Sequence, residues 1–159
     1  MSKTLIAYFS ASGGTARLAK TLAGVTGGDL FEIKPQAAYT AADLNWNDSS
    51  SRSTLEMKDD KSRPAMAGPA DVAQYDVVFV GFPIWWYQAP RIIETFLESC
   101  DFSGKTIVPF ATSGGSGMGK TESILKACCA PTAKWLPGKR LSSRESAASV
   151  RKWVDSLGL

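Results

Sequence analysis

Histidine is missing from all 159 residues of this chain. Its absence removes the commonest general base, the usual zinc ligand, and every Ser-His or Cys-His nucleophile. Catalysis, if any, must lean on other groups, and a bound cofactor is the obvious source. Cysteine is scarce too. Cys100, Cys128 and Cys129 form an odd set with one adjacent pair, which suits neither a disulfide framework nor a metal site. A reducing, cytoplasmic compartment is the expectation. No apolar run approaches the roughly 20 residues that cross a bilayer. Met1-Ser2-Lys3-Thr4 leads directly into the first apolar run, so no signal peptide is expected.

Acid is short in the second half. Residues 1–100 carry nine basic and eleven acidic side chains, and residues 101–159 carry nine and four, which leaves a net charge of +3. Lys134, Lys139, Arg140, Arg144, Arg151 and Lys152 face one acid, Glu145, over the same stretch. No aromatic residues interleave with them in the manner of a nucleic-acid-binding motif. A solvated basic face is the expectation, with an acidic protein partner as the alternative. With 44% hydrophobic and 21% charged residues, the chain is expected to be one globular domain, 1–159, large enough for a real core.

What is present is an alternation of strands and helices. Strands are expected over Thr4–Phe9, Asp29–Lys34, Asp76–Gly81 and Thr106–Ala111, with a weak fifth somewhere in Thr132–Leu141. Helices are expected over Thr15–Val25, from Pro90 to Cys100, and near Thr121–Cys129. A final helix is expected to open on Ser142-Ser143-Arg144-Glu145, which reads as a capping box, and to bury Val150, Trp153, Val154 and Leu157. Residues 35–71 are polar and read mostly as surface, with one short helix near Thr54–Lys61. Such alternation implies a parallel sheet covered by helices on both faces. Ligands of such sheets sit beyond the carboxyl ends of the strands, so three loops matter together.

The first is Ser10-Ala11-Ser12-Gly13-Gly14-Thr15-Ala16, between strand and helix. Its hydroxyls, glycines and helix N-terminus suit a phosphate, and no Lys or Arg lies within it. A plain strand-to-helix turn would use the same residue types. The second is Phe82-Pro83-Ile84-Trp85-Trp86-Tyr87-Gln88. Consecutive side chains point different ways, so the three rings cannot all be core. They read as a stacking wall for a planar ligand, or as one buried ring with two at the surface. The third is Thr112-Ser113-Gly114-Gly115-Ser116-Gly117-Met118-Gly119-Lys120-Thr121. Gly114–Thr121 matches the pattern of a nucleoside-triphosphate loop. No apolar strand ends in the acid needed to hold magnesium. Asp76 opens its strand, and only 38 residues follow Thr121. The glycines serve equally to let backbone N–H groups approach the edge of a flat ring.

Taken together, the loops describe a phosphorylated planar ring, and here the chain resembles the flavodoxin-like family. Ser10, Ser12, Gly13 and Thr15 match its T/S-x-T/S-G-x-T phosphate signature, with Gly14 in place of a frequent Asn. Pro83-Ile84-Trp85-Trp86, Gly104-Lys105-Thr106-Ile107-Val108-Pro109-Phe110, Arg52, Glu56 and Arg63-Pro64 resemble a bacterial flavodoxin group. The resemblance implies an α/β, doubly wound, five-stranded parallel sheet of order 2-1-3-4-5 that binds FMN without a covalent link. It implies that Ser10, Ala11, Ser12, Gly13, Gly14, Thr15 and Ala16 hold the phosphate. Pro83, Ile84, Trp85, Trp86 and Tyr87 then flank the isoalloxazine, and Thr112, Ser113, Gly114 and Gly115 touch its pyrimidine side. Tyr39 is a candidate for another edge.

The implied role is electron carrier or small FMN-dependent oxidoreductase. The alternatives are an NAD(P)H:quinone-type reductase and a nucleoside-triphosphate-binding module on Gly114–Thr121. The implied partner is a redox protein or small electron acceptor, with a homodimer left open. No catalytic side chain, metal ligand, nucleic-acid contact or membrane span is expected. Because the ring loop lacks glycine and bulky residues resist positive φ, a bound flavin is expected to favour two-electron reduction.

Overall fold

The computed structural model describes residues 3–11, 13–112 and 121–159. Its elements are β1 (Thr4–Tyr8), α1 (Gly14–Thr26), β2 (Asp29–Glu32), α2 (Arg52–Lys58), β3 (Val77–Pro83) and α3 (Arg91–Ser99). They continue as β4 (Thr106–Thr112), α4 (Thr121–Lys126), β5 (Lys134–Trp135), β6 (Lys139–Leu141) and α5 (Ala147–Ser156). The strands form one parallel sheet in the order β2-β1-β3-β4-β5, with β6 also on β4. That is the order expected from the resemblance.

Strand periodicity divides the core. Leu5, Ala7, Phe9, Val78, Val80, Phe82, Ile107 and Ala111 face one side, where α3 supplies Ile92, Ile93, Phe96 and Leu97. Ile6, Tyr8, Phe79, Val108 and Phe110 face the other, against Leu18, Ala19 and Leu22 of α1 and Val150 and Trp153 of α5. Both faces are therefore dry, as an all-parallel sheet requires. Val154 and Leu157 join the second cluster only partly buried. Lys134, Lys139, Arg140, Arg144, Arg151 and Lys152 are all exposed, as the charge pattern suggested.

Three expectations need correction. The fifth strand position is filled by two fragments. β5 registers Lys134 with Thr106, β6 registers Lys139 with Phe110, and Leu136-Pro137-Gly138 breaks the ladder between them. Pro137 has no N–H to offer, and the Gly138 N–H turns instead to Glu122 Oε1 of α4 at 2.6 Å.

The last helix starts later than the capping box suggests. Ser142 N–H does reach Glu145 Oε1 at 3.1 Å. But Ser142 Oγ accepts from Arg144, two residues on, so the box closes a turn. The helix is capped instead by Ser146, whose Oγ accepts from Ser149 N–H at 3.1 Å.

The third correction concerns the short helix expected near Thr54–Lys61, within residues 35–71, which are mostly exposed as expected. The excursion is tied at its base where Pro35 bridges Met66, with Gln36 N–H to Ala65 O at 2.8 Å and Ala67 N–H to Lys34 O at 2.8 Å. It buries Ser51, Ser53, Thr54 and Met57. Its helix covers Arg52–Lys58, because Ser51 caps it by accepting from Thr54 N–H.

One glycine is fixed by packing. A Cβ on Gly81 of β3 would lie 2.2 Å from Cζ of Phe110, which is fully buried. Gly81→Ala is therefore expected to lower unfolding free energy by about 1–3 kcal/mol, read from the urea midpoint.

Candidate functional site

The carboxyl ends of β1, β3 and β4 lie side by side, with Tyr8 registered on Gly81 and Pro83 on Thr112. The loops that follow them therefore share one edge of the sheet. Asp76 precedes β3 and so sits at the opposite edge.

At the first loop, Gly13 is the N-cap of α1 in the left-handed region, φ 94°, and no side chain caps the helix. Ser10 Oγ accepts from Gly13 N–H at 3.0 Å and tightens the turn. The first turn carries no acid. Gly13 is exposed, and Ser10, Ala11, Gly14 and Ala16 are partly so. Among the described residues, the end of this thirteen-residue helix thus has no side-chain cap and no acid against its positive pole.

Gly14 is explained by its neighbour. A Cβ there would meet Ser143 Cβ at 3.1 Å, so the Ser142–Glu145 turn occupies the space a larger residue would need. Thr15 is buried, and its hydroxyl lies 2.8 Å from that of Thr112. The structure thus draws Thr112 toward the first loop. Ser12, Ser113, Gly114 and Gly115 lie outside the described residues, as does the triphosphate-loop pattern up to Lys120.

The aromatic loop folds as a two-residue hairpin. Trp85 and Gln88 exchange backbone hydrogen bonds of 2.9 and 3.0 Å, while Trp86 and Tyr87 take positive φ, 50° and 64°. Both central residues of such a turn need this conformation, and glycine or asparagine normally supplies it. The expectation that these bulky residues resist positive φ is therefore wrong, and the two-electron preference argued from it loses its steric support. Ile84 N–H reaches Thr112 O at 3.0 Å, and the buried Thr121 hydroxyl donates to Tyr87 O at 3.2 Å. These bonds hold the turn in place against backbone strain of order 1–3 kcal/mol per residue.

Only the first of the three rings turns inward. Trp85 packs edge-on against Phe9 and Tyr39, with centroids 5.7 and 5.5 Å away. Trp86 and Tyr87 are 41% and 62% exposed. Tyr39 is itself clamped: the Arg52 guanidinium lies 3.8 Å from its ring centroid, and its hydroxyl donates to Glu56 Oε1. Burial, then the Glu56 carboxylate, raises its pKa above the usual phenol range.

A cavity of about 400 Å³ opens beside the hairpin, lined by Leu44, Trp46, Ser53, Ile84, Trp85, Trp86 and Tyr87. Leu44, Trp46 and Ser53 come from the 35–71 excursion, in which Tyr39 is the one site candidate the sequence suggests. A lone tryptophan inside a run of Asn, Asp and Ser was the available signal. Arg52 bonds Ala37 O at 2.7 Å and pairs with Glu56 at 3.0 Å, which orders this wall.

The wall is anchored from below by Arg91. It is 4% exposed and donates to Met57 O at 2.8 Å, to Gln88 Oε1 at 3.1 Å and to Glu94 at 2.9 Å. Arg63 completes the chain, 3.0 Å from Glu94 and 2.8 Å from Glu98.

A family model described as flavodoxin matches residues 3–157. The chain belongs to the flavodoxin family. Two crystal structures resemble it over essentially the full length. One is a candidate flavoprotein from Bacteroides eggerthii DSM 20697, at 49% identity and TM-score 0.93, covering 100% of this chain and 99% of that one. The other, from Bacteroides uniformis ATCC 8492, has 50% identity and TM-score 0.91, covering 97% and 98%. A flavoprotein from Lactobacillus acidophilus NCFM, crystallised in complex with FMN, shares the fold at 21% identity and TM-score 0.75, with both chains covered in full. No curated protein matches this chain.

Two outcomes follow for this flavodoxin-family site. At φ 64° glycine is favoured over alanine, so Tyr87→Gly should exceed Tyr87→Ala in unfolding free energy by about 1 kcal/mol in parallel denaturant titrations. Arg91→Ala leaves buried Glu94 with Arg63 alone and removes the bonds to Met57 O and Gln88; it should cost about 3 kcal/mol, with much of that loss recovered in an Arg91→Met/Glu94→Leu pair.

Proposed function

We propose that this protein binds FMN non-covalently and serves as an electron-transferring flavoprotein in the cytoplasm. The observation that carries the reading is the uncapped N-terminus of α1. Gly13 supplies the left-handed turn, the first turn holds no acid, and the surrounding loop is open to solvent. That donor set suits a phosphate monoester, which needs several N–H and O–H donors but no counter-charge. The family signature adds the Ser12 hydroxyl to that of Ser10. Thr15 shares its hydroxyl with Thr112, and a hydroxyl that accepts from one partner still donates to another.

The aromatic hairpin stands next along the same edge and offers apolar faces to a planar ring. Trp85 stiffens it from behind through Phe9 and Tyr39. When bound, FMN supplies a ring that takes up and releases electrons. The protein's part is to hold the phosphate, to orient the ring and to keep its inner edge dry. The FMN bound by the Lactobacillus acidophilus relative and the flavoprotein assignment of the Bacteroides relatives support the same cofactor.

Titration of apoprotein by flavin fluorescence tests this. FMN is expected to bind far more tightly than riboflavin, which lacks the phosphate. Ser12→Ala is expected to weaken FMN by about 1–3 kcal/mol and to leave riboflavin unchanged. Equal affinities for the two flavins would refute the phosphate assignment.

A further inference from the structure

Ser53 is the second residue of α2 and only 2% exposed. Its N–H donates to Asp43 O at 3.0 Å. Its hydroxyl is the buried side-chain polar atom left without a hydrogen-bond partner among the described residues. The nearby hydroxyls are committed: Ser51 Oγ donates to Thr54 Oγ1 at 2.9 Å and accepts from Thr54 N–H. A buried hydroxyl with its bond unmade costs stability, so its presence calls for a partner from outside the chain.

The place of Ser53 says what that partner is. It lines the cavity beside the hairpin together with Ile84, Trp85, Trp86 and Tyr87, the residues that flank the flavin ring under the proposed function. Exposure points to the same space. Six large apolar side chains are exposed among the described residues, and three of them, Trp46, Trp86 and Tyr87, stand on this cavity. Apolar surface gathered around one hollow is the mark of a ligand that covers it. Trp46 belongs to the 35–71 excursion, as Ser53 does, and is the most exposed of the three. Arg91 fixes the excursion to the hairpin through Met57 O and Gln88 Oε1, so Ser53 is presented from a rigid support.

We infer that Ser53 and Trp46 complete the ring site from the excursion: the Ser53 hydroxyl donates to a carbonyl oxygen or acceptor nitrogen of the isoalloxazine, and the Trp46 indole covers the ring. A hydroxyl whose hydrogen no chain atom takes matches a ring edge that carries acceptors. An indole matches a flat apolar face. The inference rests on the FMN reading and adds to it two binding residues outside the phosphate and hairpin loops. It also gives the orphaned hydroxyl a use that offsets its cost to the free protein.

The test is fluorescence titration of Ser53→Ala with FMN, alongside NMR of bound FMN enriched in carbon-13 and nitrogen-15. FMN affinity is expected to fall roughly ten-fold, the loss of one buried hydrogen bond. One carbonyl-carbon or acceptor-nitrogen resonance of the ring is expected to move, and to return toward its original position in Ser53→Thr, which keeps the hydroxyl. The urea midpoint without flavin is expected to stay level or rise, because the variant deletes an unsatisfied group. Trp46→Ala is expected to weaken FMN comparably. Its ring is exposed enough that its loss does not threaten folding, so it keeps the test decisive if Ser53→Ala is unstable.

Unchanged FMN affinity in Ser53→Ala overturns the inference, since water would then satisfy the hydroxyl. Weaker binding with no ring resonance moved also overturns it, as does a lower flavin-free midpoint, because Ser53 would then act only by supporting α2. Unchanged affinity in Trp46→Ala removes the indole from the site and overturns the excursion's part as a ring cover. Unaltered protein that takes up no FMN refutes the proposed function, and this inference with it.

Discussion

The Arg91 guanidinium ties together parts of the molecule that lie far apart in the sequence. It sits at the start of α3, almost wholly buried, and reaches in three directions. Its bonds to Met57 O and Glu56 O fill the carbonyl end of α2, where a cation suits the helix dipole. Its bond to Gln88 Oε1 touches the residue that closes the Trp hairpin. Its charge is met by Glu94, which is met in turn by Arg63. A buried charge is tolerable only when paired and hydrogen-bonded, so every partner in this chain constrains the others. The consequence is local and functional: α2 is fixed relative to the hairpin, and the space between them stays open.

That explains how a strained turn persists. Trp86 and Tyr87 sit in a conformation that large side chains seldom adopt. The turn is held by the Trp85–Gln88 pair, by Thr121 on Tyr87 O, and through Gln88 by Arg91. Two aromatic rings are consequently held outward at the end of the sheet, where hydrophobic burial would otherwise draw them in. Backbone strain concentrated beside a cavity is the pattern expected where geometry serves ligand contact and is compensated elsewhere.

Much of the sheet was legible in the sequence because its signals are strong and local. Val77-Val78-Phe79-Val80 is apolar on both faces and could only be a central strand. Pro90 before Ile92, Ile93, Phe96 and Leu97 marks a helix start and its inner face. Loops at the carboxyl ends of β1, β3 and β4 followed from topology. The misses share a cause, which is dependence on a distant partner. The few buried positions of the mostly exposed 35–71 excursion are hard to read because they meet a distant partner: Arg91 of α3 reaches Met57 O. The break at Pro137 is made good by Glu122, fifteen residues earlier. Ser142 lost the helix cap to Ser146 because its oxygen was already committed to Arg144. The positive φ of Trp86 and Tyr87 has no sequence signature, since glycine and asparagine are the usual markers and neither is present.

The departure at Gly14 shows the same dependence acting on the phosphate loop itself. The family signature often places an asparagine there, whose side chain would need room beyond the backbone. In this chain that room is taken by Ser143, 3.1 Å from where a Cβ would stand. The turn that carries Ser143 is fastened at both ends: Glu145 accepts from Ser142 N–H and from the Ser149 hydroxyl of α5. α5 in turn packs with α1 through Trp153, Val150 and Leu18 in one cluster. The glycine therefore marks a loop braced from outside by the last helix, with Ser143 packed where the missing side chain would have gone. Two features that look independent in the sequence, a glycine near residue 14 and a serine-rich turn near residue 143, are one piece of packing. Together they leave Gly13 exposed at the start of α1, with no side-chain cap and no first-turn acid among the described residues.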